Sequence, residues 1–139
     1  FSVCVFEIAL IFFVGIQSVS SNTFEPFENG VGILCKIIEP KDNKEPLFFL
    51  FAEDRQSVSR LRFEKNHIRL SETLRTEISA NSISWLDREG FSNTRYQLNR
   101  TTLELSTNPG KRACEAMSAT SLQEKADNYL LSSMSGNKI

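Results

Sequence analysis

VGILCKIIE at Val31–Glu39, followed by LFFLFA at Leu47–Ala52, decides the fold class of this chain. The first run is rich in branched apolar residues and stops at Pro40 and the charged turn KDNKEP. It reads as a central strand. The second is a short continuous apolar run between Pro46 and the acidic pair Glu53 and Asp54, too short for a helix. It reads as a strand buried on both faces.

Downstream of these runs the pattern alternates. Leu61 and Phe63 share one face, Arg60, Arg62 and Glu64 the other, and Ile68 and Leu70 resume after a turn at Lys65 and Asn66. Ser71–Ala80 fits either a helix or a strand, and strand is the better fit to its neighbours. Ser82–Leu86 alternates Ile83 and Trp85 with serines and ends at the turn Asp87–Gly90. Arg95–Leu98 and Leu103–Leu105 form the clearest hairpin, joined through Asn99–Thr102. After Ser106 the character of the sequence changes. Asn108 and Pro109 could open a short helix, and Thr120 with Gln123, or Ser121 with Glu124, offers a capping box for a longer one. That helix carries Leu122, Ala126, Tyr129, Leu130 and Met134 on one face. The expectation is a mainly β domain: a single antiparallel curved sheet or small barrel of about seven strands, with a C-terminal helix against it.

Upstream, residues 1–20 are FSVCVFEIALIFFVGIQSVS, an apolar stretch without Lys or Arg that ends in small polar residues. It reads as a signal peptide cut after Ser20, its apolar core being shorter than the roughly 20 residues of a comfortable membrane span. The alternative is an uncleaved membrane anchor. Glu7 inside the apolar core and the start at Phe1 without a basic flank depart from the usual leader, and read as the remainder of a longer precursor. Residues 21–30 read as an exposed lead-in, 31–134 as one β-rich domain with its helix, and 135–139 as a flexible tail. The predicted location is secreted or periplasmic. The alternative is membrane-anchored and facing outside the cytoplasm.

Export changes how the cysteines and charges read. Of three cysteines, Cys4 leaves with the leader, and Cys35 and Cys114 are expected to form a disulfide in an oxidising compartment. The alternative is two unpaired thiols. The chain has 16 basic and 17 acidic residues, and the leader accounts for one acid, Glu7, so the remainder is formally neutral. A neutral chain without a basic block predicts no nucleic-acid partner and no anionic membrane surface, unless the leader stays in place.

Few residues suggest chemistry. Glu53 with Asp54, and Asp87 with Glu89, fall at predicted turns, where acids are favoured for solvation and capping rather than for facing one another across a glycosidase cleft. His67, the one histidine, lies in a strand-like run, and no serine stands in a nucleophile elbow. The glycines form no phosphate loop. Neither a cofactor nor a metal is implied, and no catalytic residue is assigned. Asn99, Arg100 and Thr101 match a glycosylation acceptor at the hairpin tip, where Asn99 serves equally as a turn former. Trp85 reads as core, as do Phe48, Phe49 and Phe51 in the most apolar strand, so the number of phenylalanines does not by itself imply a cofactor. Arg55, Arg60, Arg62, Lys65 and Arg69 alternate with apolar residues and read as a solvated surface.

TRYQLNRTTLELS at Thr94–Ser106, LCK at Leu34–Lys36 and KRACEAM at Lys111–Met117 together resemble a loose group of small, uncharacterised exported bacterial β-sheet proteins. In that group a Tyr-x-Leu/Ile-Asn/Asp-Arg-x-Thr hairpin precedes a C-terminal cysteine. This chain departs from the group in having Thr102 after Thr101, where a glycine is expected. The resemblance implies a small exported β-sheet domain and no known activity. The functional expectation is a non-enzymatic exported binding or interaction domain whose partner is a protein. The alternative is a carrier of a small apolar ligand in a curved-sheet pocket, and a hydrolase ranks third.

Overall fold

A computed structural model of the chain describes residues 27–39, 45–89, 93–107 and 110–135. The leader, residues 1–20, and Asn108 and Pro109 with their expected short helix lie outside the described residues. The strands are β1 (Val31–Glu39), β2 (Leu47–Phe51), β3 (Ser57–Glu64), β4 (His67–Leu70), β5 (Leu74–Arg75), β6 (Glu77–Ile78), β7 (Ser82–Asp87), β8 (Thr94–Asn99), β9 (Glu104–Ser106) and β10 (Lys111–Ser118). Among the described residues one helix, α1 (Ala119–Ser135), follows.

Among the described residues the ten strands form one antiparallel sheet, ordered β4-β3-β2-β1-β10-β9-β8-β7-β6, with β5 paired to β3. Short connections make sequence neighbours into ladder neighbours, and one long-range pairing, β1 with β10, joins the two halves. The sheet curls into a half-barrel. Its ends meet where the chain passes from β5, on β3, directly into β6, on β7. The mainly β class, the curved antiparallel sheet and the C-terminal helix are as expected. The strand count exceeds the expected seven because β5 and β6 are two-residue pieces and because Lys111–Ser118, to which the sequence pattern assigned no strand, is one.

The curl gives the sheet two apolar sides. The concave side holds Ile33, Cys35, Leu47, Phe49, Phe51, Val58, Ile83, Trp85, Tyr96, Leu98 and Leu105. Phe49 and Phe51 approach the Trp85 ring edge-on, with centroids 5.2 and 5.3 Å away, and Tyr96 stacks on it at 5.5 Å. On the convex side Leu34, Phe48, Leu50 and Leu61 meet Ala119, Leu122 and Ala126 of α1. β2 is therefore buried along its whole length, as its unbroken apolar run requires.

Helix α1 begins where Ser118 Oγ accepts the Ser121 backbone N–H at 3.1 Å, an N-cap two residues ahead of the first expected capping box. Gly32 permits its close docking, since a Cβ there would lie 2.6 Å from Leu122 Cβ. Leu122, Ala126 and Tyr129 face the sheet as expected, whereas Met134 is exposed. Phe27 also differs from expectation: it is 1 % exposed within the convex cluster, so the end of the lead-in belongs to the domain. An apolar ring has more to gain by covering the sheet beside the helix than by remaining in water.

Candidate functional site

Directly opposed residues in an antiparallel ladder share a face, so register assigns sides. Arg60 opposes Phe49 and therefore projects to the concave side, with Arg62 two residues further on. Arg112 opposes Leu105, Tyr96 opposes Trp85, and Asp87 follows Trp85 at the same parity. These residues gather at one end of the half-barrel, where β1, β3 and β7 finish and β2, β8 and β10 begin. That end is a basic mouth above an aromatic floor.

Most charges at the mouth are matched. Arg62 Nη2 donates to Asp87 Oδ2 at 3.0 Å. Its Nε lies 3.0 Å from Glu89 Oε2, but that N–H is not aimed at the oxygen, so the contact is an ion pair without a hydrogen bond. Arg69 donates to Glu64 Oε2 at 3.0 Å and to Glu89 Oε1 at 2.9 Å. Arg112 is buried, and its Nη1 donates to the Glu45 backbone carbonyl at 2.9 Å. These pairs continue the closure that β5 and β6 begin, since Arg62 and Arg69 on β3 and β4 reach across to Asp87 at the end of β7 and to Glu89 just past it.

Arg60 is the exception. It is half-buried, and among the described residues its guanidinium has no carboxylate within ion-pair distance, while its buried Nε has no acceptor. Burial lowers its pKa, with Arg62 and Arg112 adding to that effect and Tyr96 and Asp87 opposing it. Burial in turn raises the Tyr96 phenol, against the pull of nearby Arg60. Trp85 Nε1, on the same face, is with Arg62 Nε a further buried donor without an acceptor. Phe49 links Arg60 and Trp85, as the register partner of the one and the ring neighbour of the other.

A second concavity, of about 370 Å³, lies on the convex face of β7–β9 and is lined by Ser79, Asn81, Ser82, Gln97, Asn99, Glu104 and Ser106. Several of these side chains already serve turns: Asn99 Oδ1 accepts from the Thr101 and Thr102 backbones, and Ser79 bonds Ser82.

Cys35 and Cys114 oppose each other across β1 and β10 with their sulfurs 1.99 Å apart, which fits an oxidising, extracytoplasmic environment. Glu53 and Asp54 sit in a turn as expected, with Asp54 Oδ1 accepting the Gln56 N–H at 2.9 Å. Asp87 caps its turn as expected, its Oδ1 accepting the Glu89 N–H at 2.9 Å, but the pair is not simply solvated: Asp87 is buried, and both acids are held by arginines. His67 is exposed, 3.2 Å from Glu64 Oε1. Among the described residues no cluster of His, Cys, Asp and Glu is fit to hold a metal, and no helix is long and apolar enough to cross a membrane. The expectation that Arg60 and Arg62 line a solvated surface is corrected. Parity with Val58 carries them inward, because in β3 the outward positions Leu61 and Phe63 are themselves apolar and covered.

Fold and mouth together define a small, curled antiparallel-sheet domain with a docked helix. No protein-family model, curated protein or solved structure matches this chain.

Proposed function

We propose that this chain is a non-enzymatic binding domain that works outside the cytoplasm and recognises its partner at the mouth of the curled sheet. The observation that carries this reading is Arg60, a half-buried cation on the concave side with a buried donor left without an acceptor. An uncompensated polar group of this kind costs stability in the absence of a partner, and a ligand that supplied the acceptor would recover that cost. The cysteine pair and the likeness of the Thr94–Ser106 hairpin to small exported bacterial proteins support the compartment.

The apolar-carrier reading is the weaker one. Phe49, Trp85 and Tyr96 are in mutual ring contact, Phe51 meets Trp85, and all four are almost wholly buried, so the concave side covers its apolar surface with itself. The hydrolase reading is weaker still, since Asp87 and Glu89 are engaged by Arg62 and Arg69.

Backbone amide NMR of the oxidised full chain tests the proposal against a panel of neutral, cationic and anionic small molecules. Binding should shift the amides of Arg60, Arg62, Asp87, Tyr96 and Arg112 and leave the panel chemically unchanged. Turnover of a panel member, or shifts confined to α1 or the convex cavity, contradicts the proposal.

A further inference from the structure

We propose that the mouth is an oxyanion site, in which the guanidinium of Arg60 receives the carboxylate or phosphate group of a small ligand. This rests on the binding-domain reading and names the chemistry of its ligand. Three features point the same way. Arg60 offers a planar fork of N–H donors, and such a fork suits the paired oxygens of a carboxylate or phosphate. Its neighbours divide into those already satisfied and those that would assist. Asp87, Glu89 and Glu64 are engaged by Arg62 and Arg69 and so do not compete for Arg60. Burial, with Arg62 and Arg112 adding to it, outweighs the pull of Tyr96 and Asp87 and lowers the Arg60 pKa, so the site lacks the counter-charge that an anion would supply.

The protein itself has a reason to accept such a ligand. A guanidinium half removed from water and without a carboxylate partner is destabilised, and an oxyanion arriving from solvent offsets that penalty while gaining charge-assisted hydrogen bonds in a medium of lowered dielectric. Tyr96, kept protonated by its burial, adds no negative charge to oppose the anion. The aromatic floor leaves no depth for a long apolar tail, because its rings contact one another. The ligand is therefore a compact oxyanion, or the anionic group of a larger molecule whose remainder lies outside the mouth.

Inorganic phosphate and acetate are titrated into the oxidised full chain, followed by amide NMR, with phosphatidylglycerol vesicles as a separate arm. The expected result is saturable shifts at Arg60, Arg62, Tyr96 and Arg112, with affinity falling at least tenfold in Arg60→Gln and less in Arg60→Lys. Arg95→Gln, an exposed arginine on the other face, should bind as the unaltered chain does. Dispersion of the amide spectrum shows that each variant is folded. Response to vesicles alone, lost in Arg60→Gln, assigns the oxyanion to a lipid headgroup rather than to a free solute. Equal anion response in the chain and in Arg60→Gln overturns the assignment. If a neutral ligand shifts the mouth and no anion does, the oxyanion assignment falls and the binding-domain reading stands. If nothing in the panel moves the mouth, both fall.

Discussion

At the scale of single residues, the interior of the sheet treats its charges in two ways. Asp87 is buried and survives there because Arg62 donates to it at 3.0 Å. Replacing Asp87 with Ala should cost about 2–4 kcal/mol by urea denaturation, because it removes one partner of a partly buried pair and leaves Arg62 to Glu89 alone. Substitution of exposed Asp127 should cost less than about 0.5 kcal/mol. Glu89 shows a pH effect of definite sign. Hydrogen bonding from Arg69, first, holds its pKa below the usual carboxylate value. A folded pKa below the unfolded one means that the stabilisation is complete above the ordinary range and lost as pH falls through the depressed value. Denaturation midpoints of the chain and of Glu89→Gln should therefore differ at neutral pH and converge only as pH falls below the ordinary carboxylate range. A constant difference across that window would contradict the pairing.

The cysteines belong to the same scale. Cys35 and Cys114 are 79 residues apart in sequence and directly opposed in register, so the bond closes a long loop onto a ladder that already exists. The entropy model allows about 4–5 kcal/mol for such a loop, and measured bridges often give less. The double replacement Cys35→Ser with Cys114→Ser should lower stability by about 2–5 kcal/mol and leave the mass insensitive to reduction. Unchanged stability would show that the β1–β10 ladder holds without it.

At the scale of elements, legibility tracked how strongly local pattern agreed with tertiary position. β1, β2 and the β8–β9 hairpin were readable because branched and aromatic residues, prolines and the Asn99 turn all point the same way. β10 was not. Lys111, Ala113, Glu115 and Met117 are helix formers, yet pairing with β1 and β9 overrides that preference. Its signal was Cys114, whose expected bridge to β1 already placed it beside a strand. The site was less legible still. Alternation showed that Arg60 and Arg62 share a face, but both faces of β3 carry apolar residues, so which face is interior depends on the closure of the sheet.

Docking of α1 gives the prediction at this scale. Gly32→Ala places a methyl group 2.6 Å from Leu122 Cβ, so the helix must withdraw, at a cost of about 1–3 kcal/mol. Leu122→Ala leaves a cavity under the same contact and should cost about 2–5 kcal/mol. Denaturation followed by circular dichroism checks both. Costs within error of zero would mean that the helix does not bear on the sheet.

At the scale of the whole molecule, the half-barrel is closed unevenly. Backbone pairing through β5 and β6 ties one end, and arginine–carboxylate pairs tie the other. The second closure is partly exposed and therefore weakened by salt, whereas the β1–β10–β2 centre is not. Amide hydrogen exchange should be slowest in β1, β2 and β10 and fastest in β6, with salt accelerating exchange in β4 but not in β1. Uniform exchange across the sheet would contradict this division.

The central claim is that closure carries Arg60 into the mouth as an anion-binding group. Phenylglyoxal modification of the oxidised chain, read out by peptide mass spectrometry with and without inorganic phosphate, tests it most directly. The account predicts that exposed Arg95 is modified at a rate indifferent to phosphate, while Arg60 reacts more slowly and phosphate protects it. Arg60 reacting as fast as Arg95, with no protection by phosphate, would contradict the claim.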